Sequence, residues 1–243
     1  MIDNFSELNS WMKFNPGTYY KFVALVRAKD FKDGTKQVLN TNERGEIFVR
    51  QWFVDSEESL KKYKPDMINL CDATKARLYV TTDSKSVKKT VLEMRNQLDK
   101  IITSWVYSPN SQVSIRKLSK FSASASQLDV CSQGTKYWLI DVDYDKMESK
   151  KDCIYLVHCL TSLIGGLFYN MRTHNGWHLL FERNFDIHDR LDKILNGVNP
   201  LPIPDEETYR CMLRCVKENI DSWSVKENAL TLVYFNKEGN YGR

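Results

Sequence analysis

Two aspartates separated by one residue are the feature of this sequence best suited to chemistry. Asp141 and Asp143 end the apolar run Trp138-Leu139-Ile140, which predicts a central β-strand. Residues i and i+2 of a strand point to the same face, so we expect the two carboxylates side by side. Like charges this close repel unless a cation lies between them, and carboxylate oxygens are the ligands that Mg²⁺ and Mn²⁺ prefer. The pair predicts a Mg²⁺ or Mn²⁺ site that also holds substrate phosphates. The alternative is that Asp-Val-Asp only ends a strand and caps the turn that follows.

A histidine strengthens the metal interpretation. His178 lies two residues after Gly176, and Asn175-Gly176 is a strong hairpin signal. The predicted topology puts its strand in the same sheet as the aspartates. A histidine beside a metal site can bind the triphosphate of an incoming nucleotide, and Arg172 and Lys226 are candidates for further phosphate contacts. The alternative is a structural histidine, which is the commoner role of a lone one.

The elements that must hold these residues follow from apolar spacing in the second half of the chain. The pattern predicts β-α-β-β-α(α)-β, the split βαβ arrangement of ferredoxin-like and RNA-recognition-motif-like (RRM-like) sheets. Its members are a strand at 137–143, a helix with Ile154, Val157, Leu160 and Ile164 on one face ended by Gly165-Gly166, strands at 167–171 and 177–181, helices around 187–194 and 209–220, and a closing strand at 229–235.

The first half has a different character. The pattern predicts a short helix at Phe5, Leu8 and Met12, two strands at 19–28 and 45–54 in a long-looped hairpin, a strand at 77–81, and a helix from Val87 to Ile101 capped by Asp83 or Ser84. The segment Ser122–Ser126 is expected to be a flexible joint. We therefore expect an α+β protein in which an N-terminal αβ module, residues 1–126, packs on an RRM-like catalytic module, residues 127–243, within one compact domain.

Composition limits the function classes. The chain has 243 residues, 42% hydrophobic and 27% charged, with a net charge of +4, as in an ordinary globular protein rather than a histone-like binder. Two local basic runs, one with Lys85, Lys88 and Lys89 and one with Arg116 and Lys117, permit a nucleic-acid groove, although such runs are more often solvated faces.

The sequence lacks the motifs that would indicate several other chemistries. It contains no Walker A loop, no G-x-G-x-x-G and no G-x-S-x-G motif. The six cysteines lack zinc spacing and are expected to be reduced, although Cys211 and Cys215 lie four residues apart on a predicted helix. Neither a signal peptide in Met1–Trp11 nor a membrane span is expected, so the protein is predicted to be cytoplasmic, without a membrane partner.

Two short motifs resemble the archaeo-eukaryotic primases and related primase-polymerases. Leu139-Ile140-Asp141-Val142-Asp143 is similar to their first motif, and Gly176-Trp177-His178 to their second. The wider string 172–180, followed by Phe185-Asp186, and the strand at 77–80 look like the primase-like proteins of bacteriophages and their hosts. The resemblance covers roughly residues 74 to 236.

The resemblance implies a function and a set of roles. It implies a metal-dependent nucleotidyltransferase acting in DNA replication in a bacterium or phage-infected cell. The implied partners are nucleoside triphosphates and a single-stranded template, with replication proteins as further candidates. Asp141 and Asp143 would bind metal, with His178 contacting the nucleotide. The family has a third acid on a later strand, whereas the strand at 230–235 has none, so Asp221 or Glu227 must supply it or it is absent. The alternative function is a catalytically reduced, nucleic-acid-binding replication accessory protein, and a third is a nuclease or another phosphoryl-transfer enzyme on the same scaffold.

Overall fold

The structure, a computed structural model, describes residues 1–27, 30, 46–107, 129–147, 149–198, 205–227 and 229–236. These residues form six helices and two antiparallel sheets, which confirms the predicted mixed α+β class. In chain order the helices are α1 Phe5–Trp11, α2 Glu57–Thr74, α3 Val87–Tyr107, α4 Lys150–Ile164, α5 Ile187–Leu195 and α6 Glu206–Glu218. The strands are β1 Ile2–Asp3, β2 Thr18–Arg27, β3 Glu46–Val54, β4 Arg77–Thr81, β5 Lys85–Ser86, β6 Tyr137–Asp143, β7 Phe168–Arg172, β8 Gly176–Glu182, β9 Trp223–Lys226 and β10 Leu230–Phe235.

The first sheet has the order β1-β10-β4-β2-β3, and β5 pairs with β2 at its start. The hairpin expected from the two aromatic, β-branched segments is confirmed, because β2 and β3 pair antiparallel from Tyr20 opposite Val54 to Arg27 opposite Glu46. One face of this sheet, with Phe22, Leu78 and Val233, belongs to a core that includes α1 and α2.

The second sheet has the order β7-β8-β6-β9, with every neighbouring pair antiparallel. The central strand β6 is buried on both faces, which explains its uninterrupted apolar sequence. Trp138, Ile140 and Val142 pack against α4, α5 and α6, whereas Tyr137 and Leu139 pack with residues of the first sheet and α1. Asp141 and Asp143 continue that second face, where the two sheets diverge into a cleft.

The last strand is not where the sequence pattern placed it. β10 was expected to close the sheet of the second module, but it lies in the first sheet between β1 and β4. The short segment β9 closes the second sheet instead, by pairing with β6. The first sheet is thus completed by the two ends of the described chain, which tie the halves of the molecule together.

Four helices differ in detail from expectation. α2 was not predicted; Ser56 caps it by accepting from the backbone N–H of Ser59. The expected caps of α3 were wrong, because Asp83 contacts Lys85 and the side chain that accepts from the first turn is Ser86. In α4, Ile154 was expected on the apolar face but is exposed. Ile220 was expected within the helix that became α6 but lies in a 3-10 turn after it.

The expected joint at Ser122–Ser126 lies outside the described residues. None of the helices in the described ranges combines the length and the apolar run needed to cross a membrane.

Candidate functional site

The two aspartates and His178 meet on one face of the second sheet. Asp141 on β6 is directly opposite His178 on β8 and Ser224 on β9, and Asp143 follows two residues later on the same face of β6. Asp141, Asp143 and His178 all line the cleft between the two sheets. The sequence-predicted pair and histidine are therefore brought together, Asp143 at the exposed rim and Asp141 deeper.

Asp141 has a positively charged or hydrogen-bonding partner at each carboxylate oxygen. His178 Nε2 lies 3.3 Å from Oδ1, and Lys226 Nζ contacts Oδ2. Burial raises the pKa of Asp141, but the hydrogen bonds and charges of His178 and Lys226 outweigh burial and hold the pKa well below its usual range. Asp141 is therefore an anion at any physiological pH.

His178 is fixed from the other side of its ring. Its Nδ1 lies 3.0 Å from Oγ1 of Thr231, a fully buried residue of β10 in the first sheet. A histidine with one nitrogen on a hydroxyl and the other on a carboxylate has a defined ring orientation. Thr231 was not predicted as a site residue; its only signal in the sequence is a single hydroxyl within the apolar run 230–235.

The cleft has a volume of about 730 Å³, which is within the range of small-molecule sites. Its second wall comes from the first sheet and carries Arg27, Arg77, Lys85, Tyr79 and Thr81. Each cation there already contacts a nearby acid: Arg27 lies 3.6 Å from Glu46, Arg77 Nε donates to Asp30 at 2.8 Å, and Lys85 donates to Asp83 at 2.9 Å. Of the residues in this wall, only Lys85 was predicted from the sequence to have a functional role.

Of the two predicted phosphate contacts, one lies in the cleft. Lys226 lines it and contacts Asp141. Arg172 pairs with Trp177, the neighbour of His178, so its side chain starts on the opposite face of the sheet. Arg172 is exposed and is not among the residues that line the cleft.

The two candidates for the third acid lie in different positions relative to the cleft. Asp221 is exposed in a 3-10 turn before β9 and is not among the residues that line the cleft. Glu227 borders the cleft, but its carboxylate lies 3.0 Å from Arg183 and 3.9 Å from His188. The face of β9 beside Asp141 carries Ser224 and Lys226 instead.

The predicted nucleic-acid contacts separate into three groups. Lys85 is almost fully buried and donates to Asp83 and to Ser132 Oγ, so it is not part of a solvated basic surface. Lys88 and Lys89 are exposed in the first turn of α3, where Lys89 Nζ donates to the carbonyl of Ser132. Arg116 and Lys117 lie outside the described residues.

Asp141 and Asp143 fit a divalent cation by donor type, because both are carboxylates on one face of a strand. Within the described ranges, no group of three or more His, Cys, Asp or Glu side chains has the arrangement of a metal site. Cys211 and Cys215 on α6 therefore belong to no such group. The residues fit one ion held by two acids better than a pair of ions.

No protein-family model matches the chain, and neither a curated protein nor a solved structure is significantly similar to it.

Proposed function

We propose that the protein is a metal-dependent nucleotidyltransferase of the primase-polymerase type, acting on nucleoside triphosphates and a single-stranded template. The observation that carries the proposal is the convergence of Asp141, Asp143 and His178 on one sheet face that opens into a cleft. Two carboxylates for a cation and a histidine with a fixed ring are the parts that binding and orienting a triphosphate requires.

The second sheet supports the same proposal. Its elements run β6-α4-β7-β8-α5-α6-β9, and its strand order is β7-β8-β6-β9. That is the connectivity expected of a split βαβ, RRM-like module, with the paired acids on its central strand. A fold does not by itself assign a function, so the proposal depends mainly on the residues of the site.

Four of the cleft residues, Asp141, Asp143, His178 and Lys226, each have a role in this proposal. Asp141 and Asp143 would hold Mg²⁺ or Mn²⁺, which when bound supplies Lewis acidity and neutralises phosphate charge. His178 contacts the triphosphate, and Lys226 adds positive charge beside it. The template lies along the first module, where Lys88 and Lys89 of α3 are exposed to contact its phosphates.

One observation favours a second candidate, a replication accessory protein that binds nucleic acid without catalysis. The face of β9 next to Asp141 carries Ser224 and Lys226 rather than a third acid, and Lys226 contacts the carboxylate that would bind metal. A protein that had lost catalysis would no longer need the third ligand.

The test replaces both aspartates. Asp141→Asn with Asp143→Asn removes the two anionic ligands, so Mn²⁺ binding by calorimetry and extension of a primed single-stranded template with labelled nucleotides should both disappear. Asp192→Asn, an exposed position on α5, is the matched control and should change neither. Unchanged Mn²⁺ affinity in the double variant would contradict the proposal. Mn²⁺ and template binding by the wild type without extension would favour the accessory function.

A further inference from the structure

Lys226 lies where the site would need a third carboxylate. On β9, Ser224 is directly opposite Asp141 and Lys226 pairs with Leu139, two residues before Asp141 on the same face. Side chains at these two points of β9 are the ones that reach Asp141 from this edge of the sheet. One is a neutral hydroxyl and the other an ammonium.

The ammonium group of Lys226 lies against Asp141, in the way that a bound metal cation would lie. Lys226 Nζ contacts Oδ2 of Asp141, whose side chain is 14% exposed, while the lysine side chain itself is 49% exposed. The charged end therefore reaches inward from a solvated stem. Asp143, the other acid, lies at the exposed rim of the same cleft.

Charge decides how many divalent ions this arrangement accepts. Two carboxylates and one ammonium leave a single unit of negative charge for added cations to neutralise, whereas three carboxylates without the lysine would leave three. A second divalent ion would meet Lys226 at close range, at an edge where β9 presents Ser224 rather than a third acid. Asp141 retains lone pairs for one ion shared with Asp143, because a carboxylate has about four acceptor sites.

We infer that Lys226 takes the place of one of two cations, so that the site binds a single divalent ion and a lysine ammonium contributes the second positive charge toward the triphosphate. This inference rests on the proposed function and specifies its metal requirement. It makes Lys226 a determinant of metal stoichiometry, a role distinct from that of a general phosphate contact.

The test measures Mn²⁺ stoichiometry and affinity on the full chain by calorimetry, without nucleotide. The wild type is expected to bind one Mn²⁺. Lys226→Met removes the charge and should tighten that ion about tenfold, which corresponds to the loss of one nearby repulsive charge. Lys226→Gln, which keeps a hydrogen-bond donor, should do the same if charge is the cause. Lys226→Glu supplies a third carboxylate and should bind two Mn²⁺.

Lys217→Met and Lys217→Glu, at an exposed position in the last turn of α6, are the matched controls and should leave binding unchanged. Two Mn²⁺ per wild-type chain, or unchanged affinity in both neutral variants, overturns the inference while the proposed function stands. Absence of Mn²⁺ binding in the wild type and in every variant overturns both.

Discussion

His178 connects the two sheets through its ring, with Asp141 of the second sheet at Nε2 and Thr231 of the first at Nδ1. This geometry gives the histidine a fixed place in the cleft independent of any ligand. Its side chain is 12% exposed, so one edge of the ring remains open to the cleft. The residue is therefore both a structural link and a candidate ligand contact.

We predict that His178→Ala weakens nucleotide binding at least tenfold but changes Mn²⁺ affinity much less, because the carboxylates that hold the ion remain. The measurement is titration of a nucleoside triphosphate and of Mn²⁺ separately. His158→Ala, an exposed position on α4, is the control. Normal nucleotide binding by the His178 variant would assign this residue to the fold alone.

Lys21 is a buried base whose pKa is lowered. It is buried in β2 near Lys85, and burial together with the charge of that neighbour lowers the pKa of Lys21 to about 8. The unfolded chain therefore binds more protons than the folded one between about pH 8 and the ordinary lysine value of 10.5. In that window the contribution of Lys21 to the free energy of unfolding rises with pH.

We predict that Lys21→Met is more stable than the wild type at pH 7 by about 2 kcal/mol, because a buried charge is removed. This advantage should shrink as the pH rises from about 8 toward 10.5, because in that range Lys21 is deprotonated in the folded wild type and still protonated in the unfolded chain. Denaturant unfolding at several pH values measures the difference between the two proteins. A stability difference that does not vary with pH would contradict the assigned pKa.

At the scale of elements, the hairpin that carries His178 depends on a close backbone approach. A Cβ at Gly176 would lie 1.8 Å from the carbonyl oxygen of Val142, so the first residue of β8 has to be glycine. Asp143, the partner of Gly176 across the ladder, is adjacent to that contact. The turn residue therefore sets the spacing of the two strands that hold the site.

We predict that Gly176→Ala destabilises the protein by about 3 kcal/mol, the upper range for overpacking, and weakens Mn²⁺ binding because β6 and β8 must separate near Asp143. Gly17→Ala is the control, since Gly17 also has positive φ, +73°, but nothing lies within 4 Å of the added methyl. Equal losses of stability in the two variants would show that only φ strain is involved.

The element scale also shows what local sequence specifies. The strand at 137–143, the Asn-Gly hairpin and the Gly165 helix end were predictable because each depends on neighbours in sequence. The helix α2 was not predicted from the sequence because Pro65 and a polar surface obscured the helical spacing of Leu60, Met67 and Cys71. The residues of the second cleft wall could not be found from pattern alone, because they meet the aspartates only through packing of the two sheets.

At the scale of the whole molecule, the assignment of β10 to the first sheet decides how the cleft is built. Both faces of β10 are mostly buried, so its sequence gives no indication of its neighbours. Only three residues separate it from β9 in the second sheet, so the chain crosses from one sheet to the other at the cleft. The apolar run predicted a strand correctly, but partner choice is a long-range property that periodicity does not contain.

A buried amide near the start of the chain is another specific link between the sheets. Asn4 donates from Nδ2 to the carbonyl of Arg172 on β7 at 2.8 Å and to that of Leu232 on β10 at 2.9 Å. Its backbone N–H also donates to Val233 at 2.8 Å. One side chain thus satisfies a carbonyl in each sheet, at 4% exposure.

We predict that Asn4→Ala lowers the free energy of unfolding by about 2 kcal/mol, because two carbonyls lose their donor in a poorly solvated interface. Asn4→Asp preserves the shape but places carboxylate oxygens against those carbonyls, so it should cost at least as much. Asn170→Ala, exposed on β7, is the control and should be nearly neutral. Chemical denaturation measures the loss, and nucleotide titration shows whether loosening the sheets also weakens the cleft, as expected if His178 is held between them. An unchanged denaturation midpoint in Asn4→Ala would mean that sheet packing, rather than this amide, sets the relation of the two walls.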